Sequence, residues 1–343
     1  MIVRIAAILG STVFPAMAAA AEIHGAGATF PAPVYEAWAA AYEQSSGIDI
    51  RYDAIGSGAG IERVRRHEVD FGASDAPLEP QELAQAGLLQ FPVVIGGVVP
   101  VVNISGIAPG GLTLDGEVLA QIYAGTIRRW NAAPIAALNP RTKLPPANIT
   151  VVHRNDASGS TLLWTDYLAH TSVTWRATIG SGLTVAWPTG VGGDGNEGVA
   201  SYVQRTRFAI GYVEYAFARK HHLSDASLIN HDGKIVQARR ETFQAAAQAA
   251  VWSDIATFRQ LPTDLPGAAT WPITGASFIL FAVDPKHSEH TREAVRFFEW
   301  SLQHGAAITQ SLDYVELPAA AALQLPDFWP KKERGSADGM LPR

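Results

Sequence analysis

Three stretches of the sequence place glycine and hydroxyl residues where a predicted helix begins. They are Gly25-Ala26-Gly27-Ala28-Thr29-Phe30-Pro31, Gly56-Ser57-Gly58-Ala59-Gly60-Ile61-Glu62 and Ser158-Gly159-Ser160-Thr161, and we call them the first, second and third corners. The first N–H groups of a helix have no partner inside the helix, and the positive end of the helix dipole lies behind them. Each corner is therefore suited to holding an anion, with hydroxyl groups as additional donors.

A simpler interpretation of each corner is ordinary helix capping. Thr29 is a good N-cap candidate, and the prolines at 31 and 33 suit a first turn whose N–H groups are unpaired anyway. The second corner is expected to precede a helix that begins at Ile61. No corner matches the phosphate loop of nucleotide-binding enzymes or the dinucleotide-binding glycine pattern. A shared anion site is predicted only if the fold brings the three corners to one cleft.

Asp75 lies between the second and third corners, just after a strand predicted over Asp70–Ala73. At the end of that strand, its carboxylate would lie among anion-binding donors, which is unfavourable unless the anion has a hydrogen to share. Protonated phosphate has such a hydrogen, whereas fully ionised sulfate does not. Asp75 is therefore predicted to select between these two oxyanions. The alternative is that Asp75 caps a helix before Pro77.

Arg154 ends the strand before the third corner, and Asp156 follows two residues later. Residues i and i+2 of an extended segment share a face, so Asp156 can hold the Arg154 guanidinium in position. Arg154 is the only cation that we predict in the site. The alternative is an exposed ion pair that contributes little to stability.

Other candidate chemistry in the sequence is sparse. The chain has no cysteine, which excludes disulfides, thiolate ligands, cysteine nucleophiles and a lipid-modified N-terminal cysteine. His287 and His290 lie in a polar segment without further ligands nearby, and His221 with His222 is predicted to form an exposed helix end. We therefore predict no catalytic residue, no cofactor and no metal site.

The predicted strands and helices that must position these residues alternate along the chain, as they do in α/β layers. Examples are the predicted helix Pro80–Ala86 and the predicted strand Ala209–Glu214. With 343 residues and 48% hydrophobic content, the chain is long enough for two lobes. Apolar segments near 92–103 and 272–283 bracket the central block, which predicts a chain that leaves one lobe and returns to it. The apolar run 91–107 is expected to form buried strands with a break, because five residues interrupt it, namely Pro92, Gly96, Gly97, Pro100 and Asn103.

Residues 1–20 have the layout of a signal peptide, with Arg4 before an apolar stretch that ends in small residues. We expect export to the periplasm and no transmembrane segment in the mature protein. Removing Arg4 leaves 25 basic and 32 acidic residues, a net charge of −7. This charge argues against nucleic acid and anionic membranes as partners, and it requires any anion site to be built from local donors.

Six segments together resemble the periplasmic phosphate-binding proteins of high-affinity ABC phosphate transporters. They are GAGATFPAPVY (25–35), VDFGASDAPL (69–78), FPVVIGGVV (91–99), GGDGNEGVA (192–200), AIGYVEYA (209–216) and WPIT (271–274), in that family's order. The resemblance implies an α/β, two-lobe, type II solute-binding fold with a two-segment hinge. It also implies a signal peptide over 1–20, a discontinuous lobe I over 21–103 and 274–343, and lobe II over 104–273.

The resemblance also implies a function and a binding site. The protein is expected to be a monomer that binds inorganic phosphate and delivers it to the permease subunits of an ABC transporter with its ATPase. The expected phosphate ligands are Thr29, Phe30, Ser57, Asp75, Arg154, Ser158, Gly159 and Ser160, with Asp156 in support. The third corner has serine at 160 where threonine is usual, and the second has Ala59 in place of a glycine and Gly58 where a hydroxyl is common.

Three other functions compete with phosphate binding. A secreted phosphatase needs a nucleophile with a base, or a metal cluster, and neither is evident around Ser57 or Ser158. A protein that binds sulfate or another tetrahedral oxyanion is the nearest rival, and Asp75 argues against sulfate. A structural or adhesive extracellular module would have no need for a ligand-dependent hinge.

Overall fold

The computed structural model describes residues 22–252, 261–283 and 288–325. The predicted signal peptide and its cleavage site lie outside these residues. The strands are β1 (Glu22–Gly27), β2 (Asp49–Ala54), β3 (Phe71–Ser74), β4 (Leu88–Val102), β5 (Thr113–Leu114), β6 (Thr150–Arg154), β7 (Val191–Gly193), β8 (Ala209–Glu214), β9 (Ser224–Asp225), β10 (Ser227–Ile229), β11 (Ile235–Val236) and β12 (Thr274–Ala282).

Helices alternate with these strands along most of the chain. They are α1 (Ala32–Ser46), α2 (Ser57–Arg65), α3 (Pro80–Ala86), α4 (Gly116–Tyr123), α5 (Ala133–Leu138), α6 (Gly159–Thr171), α7 (Val173–Thr178), α8 (Gly195–Arg205), α9 (Tyr215–Lys220), α10 (Arg240–Ala249), α11 (Ser288–His304), α12 (Ala306–Ser311) and α13 (Ala319–Ala322). The predicted bounds of α3 and β8 are confirmed. Among the described residues, no helix combines the length and apolar character needed to cross a membrane.

The main sheet runs in the order β2-β1-β3-β12-β4-β8-β6-β7, with β9 paired to β4. Its long central strand, β4, pairs with β12 over Leu88–Gly97 and with β8 over Val98–Val102. We call β2, β1, β3, β12 and Leu88–Gly97 of β4 the first half-sheet. The second half-sheet consists of Val98–Val102 of β4 with β8, β6 and β7. The two apolar segments predicted to bracket the central block therefore pair with each other.

The prediction of a break is wrong at Pro92, Gly96, Gly97 and Pro100, because β4 is continuous over 15 residues, but the strand does end at Val102, directly before Asn103. Its pairing register with β12 shifts between Ser277 and Phe278, which pair with Val94 and Pro92. This bulge accommodates Pro92, whose nitrogen has no hydrogen to donate to the ladder. In place of an internal break, β4 therefore has a bulge opposite β12 and a change of partner strand from β12 to β8.

One hydrophobic core extends through both half-sheets. In the first, Phe298 of α11 packs edge-on against Tyr35 of α1, with ring centroids 5.6 Å apart. In the second, Trp164 of α6 stacks on Tyr212 of β8 at 4.9 Å. All four side chains are buried. These contacts hold α1, which follows the first corner, against α11, and α6, which begins at the third corner, against β8.

Candidate functional site

The first and second corners lie at one edge of the first half-sheet. Strand β1 pairs in parallel with both β2 and β3, so the carboxyl ends of the three strands lie together. Thr29 follows β1, Ser57 follows β2 and Asp75 follows β3. Because α2 begins at Ser57, the second corner forms the first turn of this helix, and the prediction that the helix begins at Ile61 is wrong. Gly56 permits this early start because its φ of 98° is in a region that favours glycine.

Ser57 connects the second corner to the third. Its Oγ accepts hydrogen bonds from the main-chain N–H of Asp75 at 3.2 Å and of Gly159 at 3.1 Å. Nearby, the N–H of Gly58 donates to the carbonyl oxygen of Ala157 at 3.0 Å. Because the Ser57 oxygen accepts from two N–H groups, its own hydrogen is available for a further acceptor.

Thr29 makes a similar connection between the first corner and α8. Its Oγ1 accepts from the main-chain N–H of Asn196 at 3.2 Å and from Asn196 Nδ2 at 2.8 Å. The prediction that Thr29 caps α1 is wrong, because Pro31 occupies the cap position and no side chain bonds there. The hydroxyl contacts a residue 167 positions away instead, and its hydrogen is left free to donate.

Arg154 and Asp156 form the predicted pair, and the pair is not exposed. The Arg154 side chain is 1% exposed, and its Nε and Nη2 donate to Oδ1 and Oδ2 of Asp156. Oδ1 of Asp156 also accepts from the N–H of Gly195 at 3.1 Å. Burial raises the pKa of Asp156, but the hydrogen bond and charge of Arg154 outweigh that effect and lower the pKa below its usual value. Asp156 therefore stays ionised and holds the guanidinium in place.

Asp75 is buried, with 2% of its surface exposed. Burial raises the pKa of its carboxyl group to about 7, although Ser277, Arg154 and Ser57 each lower it. The alternative that Asp75 caps a helix before Pro77 is wrong, because α3 begins at Pro80 and is capped by Glu79. The Asp75 carboxyl group is therefore buried without capping α3.

The third corner begins α6 as predicted. Ser158 is the N-cap, and its Oγ accepts from the N–H of Thr161 at 3.2 Å. Gly159 lies directly against Ser57 and Asp75, which follow strands β2 and β3. A β-carbon at position 159 would overlap Cβ of Asp75 and lie 2.8 Å from Oγ of Ser57. Only glycine allows this close approach.

Three polar atoms of these residues are buried without a hydrogen-bond partner in the described part of the chain. They are Oδ1 of Asp75, Nη1 of Arg154 and Oγ of Ser160. Asp75 packs against Gly159, which precedes Ser160, and the charge of Arg154 acts on Asp75. Buried polar atoms are rarely left unpaired unless a ligand or water bonds to them. The set combines donors with one carboxyl acceptor, which suits an anion that carries a proton.

A cleft of about 710 Å³ lies beside Thr29 and Asp156. The acidic residues Glu36, Asp194 and Glu197 line it together with Lys220. Because these surroundings are acidic, an anion site here would have to rely on oriented main-chain and side-chain donors, as expected from the negative charge of the chain.

Known proteins are similar to this chain in sequence and in fold. A family model for the PBP superfamily domain matches residues 13–289. The phosphate-binding protein PstS of Pasteurella multocida is 46% identical over 97% of this chain and 96% of its own length. The PstS protein of Haemophilus influenzae is also 46% identical, over 91% of this chain and 93% of its own. The chain belongs to the PstS family.

Solved structures support the fold of this PstS family member. The phosphate-binding protein of Stenotrophomonas maltophilia superposes with a TM-score of 0.63 at 18% identity, covering 89% of this chain and 93% of that one. The predicted type II solute-binding fold is confirmed. The lobe boundaries 21–103 with 274–343 and 104–273 stay a prediction.

The contacts of Ser57 with Asp75 and Gly159 bring together the segments that contain the eight predicted ligand positions of this PstS family member. Thr29, Phe30, Ser57 and Asp75 come from the first corner, the second corner and the end of β3, and Arg154, Ser158, Gly159 and Ser160 come from β6 and α6. Their role as phosphate ligands stays a prediction.

The histidine pairs lie elsewhere. His221 is only partly exposed, since 12% of its side chain is accessible and its Nε2 lies 2.8 Å from Glu197, so the prediction of an exposed end is wrong for it. His222 is exposed as predicted. His290 lies 3.3 Å from Asp70, and His287 is outside the described residues. No metal-ligating cluster occurs among the described residues.

Sequence reasoning missed four residues that surround the site. Asn196 holds Thr29, and Ser277 lies beside Asp75. Tyr314 contacts Phe30 of the first corner, and Glu214 contacts Tyr314. A signal existed for Ser277, because a serine in the middle of the buried apolar strand β12 requires a polar partner. Asn196 and Glu214 lie within segments that carried the family resemblance, but no local pattern indicated what they contact.

Proposed function

We propose that this protein binds inorganic phosphate in the periplasm and delivers it to an ABC-type phosphate importer. The proposal rests on the three unpartnered buried atoms of Asp75, Arg154 and Ser160, which combine two donor groups with one acceptor. The names of the curated relatives, phosphate-binding protein PstS, support the same ligand.

The roles proposed for individual residues follow from their hydrogen bonds. The hydroxyls of Thr29 and Ser57 each accept two hydrogen bonds from N–H groups, so each directs its hydrogen toward the anion. The N–H groups of Phe30 and Ser160 lie at helix starts and act as further donors, whereas the N–H of Gly159 donates to Ser57 and brings Gly159 to the edge of the site. Ser158 and Ser160 contribute hydroxyls.

The charged groups have distinct roles in the proposed site. Nη1 of Arg154 makes the charge-assisted contact with the anion, since Asp156 occupies the other edge of the guanidinium. Asp75 accepts the hydrogen of the protonated phosphate. Sulfate has no hydrogen to offer, so it would leave the carboxylate of Asp75 facing a second negative charge.

Binding is proposed to close two lobes about the hinge formed by β4 and β12. Lobe I comprises 21–103 and 274–343, and lobe II comprises 104–273. The hydrogen bonds that Gly159 donates to Ser57 and that Asn196 donates to Thr29 would join the proposed lobes in the closed form. The monomeric closed form is then recognised by the permease subunits. Residues 1–20 are proposed to direct export as a signal peptide.

Calorimetric titration of the mature protein with phosphate and with sulfate tests the proposed function. We expect tight one-to-one phosphate binding at neutral pH and no measurable heat from sulfate under the same conditions. Equal binding of both anions would contradict the selector role of Asp75. Absence of phosphate binding by the folded protein would overturn the proposal itself.

The proposal is for a binding protein and not for an enzyme. A phosphatase would release the alcohol of a chromogenic phosphomonoester in repeated turnovers. We expect no turnover by the pure protein, because neither Ser57 nor Ser158 has a histidine or lysine as hydrogen-bond partner among the described residues, and Asp75 beside Ser57 is assigned to the proton of the phosphate. Sustained turnover that follows the protein through purification would contradict this assignment.

A further inference from the structure

A buried cluster behind the first corner links Tyr314, Glu214 and Phe30. The phenol oxygen of Tyr314 lies 2.6 Å from the carbonyl oxygen of Phe30 and 2.8 Å from Oε2 of Glu214. All three residues are at most 1% exposed. Tyr314 follows α12, Glu214 ends β8 and Phe30 precedes α1, so the cluster joins three distant parts of the chain.

The number of hydrogens in this cluster constrains its protonation. A carbonyl oxygen accepts only, so the contact with Phe30 uses the one hydrogen of the Tyr314 hydroxyl. The second contact, between the Tyr314 oxygen and Glu214, also brings two oxygens within hydrogen-bond distance. Its hydrogen must come from the Glu214 carboxyl group, because the tyrosine has no second hydrogen to give.

The surroundings of Glu214 favour the neutral acid. Within the described residues, Glu214 forms no ion pair, and its Oε2 accepts from the N–H of Ala216 at 2.9 Å. Burial raises the pKa of Glu214 well above its usual value, and the nearby Asp75 raises it further. Main-chain hydrogen bonds from Ala216 and Tyr215 lower the pKa without reversing the shift.

Glu214 is also connected to the first corner by a second route. Its main-chain N–H donates to Oδ1 of Asn196 at 2.9 Å, and Nδ2 of the same asparagine donates to Thr29. One residue at the end of β8 thus supports the main chain of Phe30 through Tyr314 and the hydroxyl of Thr29 through Asn196.

We propose that Glu214 is a positioning residue that carries a proton at neutral pH and, through the chain Glu214 O–H to Tyr314 O–H to Phe30 C=O, fixes the first corner for anion binding. The inference about binding rests on the proposed function, whereas the protonation of Glu214 does not. The anion does not contact Glu214, so the residue acts only through its neighbours.

Infrared difference spectroscopy with carbon-13-labelled glutamate tests the protonation directly. We expect the wild-type protein at neutral pH to show the carbonyl stretch of a protonated glutamic acid, and Glu214→Gln to lack it. Labelling glutamate alone separates this band from any contribution of Asp75. Absence of the band from the folded wild-type protein would overturn the proposal. If Glu214→Gln does not fold, Tyr314→Phe must shift the band, and an unshifted band would equally overturn the assignment.

Phosphate titration of Tyr314→Phe tests the positioning role. Loss of the phenol hydroxyl leaves the buried carbonyl of Phe30 unpaired, and we expect about tenfold weaker phosphate binding. Tyr167→Phe is the matched control, since Tyr167 is fully buried and its hydroxyl has no hydrogen-bond partner in the described part of the chain. Unchanged affinity of Tyr314→Phe would contradict positioning, whereas failure of the wild-type protein to bind phosphate would instead refute the proposed function.

Discussion

Oγ of Ser57 accepts a hydrogen bond from the main-chain N–H of Gly159 at 3.1 Å, across 102 positions of the chain. The bond places the first turn of α2 against the first turn of α6. The positive ends of two helix dipoles therefore face one another, which is favourable when an anion lies between them. Substitutions at this contact and in the groups around it should change anion affinity.

Gly159→Ala should oppose closure of the two lobes. The added methyl group would overlap Cβ of Asp75 and lie 2.8 Å from Oγ of Ser57. We expect phosphate affinity in calorimetry to fall about ten- to a hundredfold, as for an overpacked contact. Gly233→Ala is the control, because an alanine methyl group there would have no atom within 4 Å, and its φ of 70° affects only local stability. Equal affinities of the two variants would show that the approach at Gly159 is not needed.

Asp75→Asn should reduce discrimination against sulfate. The asparagine amide can donate to an unprotonated oxyanion, whereas the native carboxylate only accepts. We expect the ratio of sulfate to phosphate dissociation constants to fall at least about tenfold. Competition titrations with both anions measure the ratio, and a ratio equal to that of the wild-type protein would rule out Asp75 as the selector.

Sulfate affinity should depend on pH through Asp75. The pKa of Asp75 is raised to about 7, so its carboxyl group accepts above that pH and becomes a neutral donor below it. Sulfate binding should therefore strengthen by about tenfold between about pH 8 and about pH 5, following the protonated fraction of Asp75. Asp75→Asn should remove this dependence. A pH-independent sulfate affinity in the wild-type protein would contradict the assignment.

Arg154→Ala should weaken phosphate binding by about a hundredfold or more, because a buried charge-assisted contact is lost and Asp156 is left without its partner. The circular dichroism spectrum should stay native. Arg51→Ala is the matched control, since Arg51 is 62% exposed and pairs with Glu22 at the surface. Wild-type affinity in Arg154→Ala would place the cation outside the site.

Asn196→Ala should weaken phosphate binding by about tenfold, because the Thr29 hydroxyl loses the side-chain donor that orients it. The buried Asn230, which follows β10, offers a control, since its side chain donates to the carbonyls of Gly267 and Thr270. Asn230→Ala should lower thermal stability and leave phosphate affinity intact. Identical effects of both variants on affinity would indicate a general loss of stability in place of an effect on Thr29.

Local patterns in the sequence predicted the corners and many element bounds, because helix starts and strand ends depend on neighbouring residues. The same local reasoning failed at Thr29, whose position suited a cap but whose hydroxyl bonds to Asn196 instead. It also missed the cluster of Glu214, Tyr314 and Phe30, because Tyr314 lies 284 positions from Phe30. Such contacts depend on how the halves of the sheet pack, and no periodicity encodes that packing.

Strand β4 belongs to both halves of the main sheet without interruption. A rotation of one half against the other must therefore twist a hydrogen-bonded ribbon, spreading small changes in φ and ψ over many residues. The amplitude of opening is then limited by the elasticity of a twisted sheet and not by the slack of a loop. A protein built in this way returns to the same geometry after every cycle of capture and release.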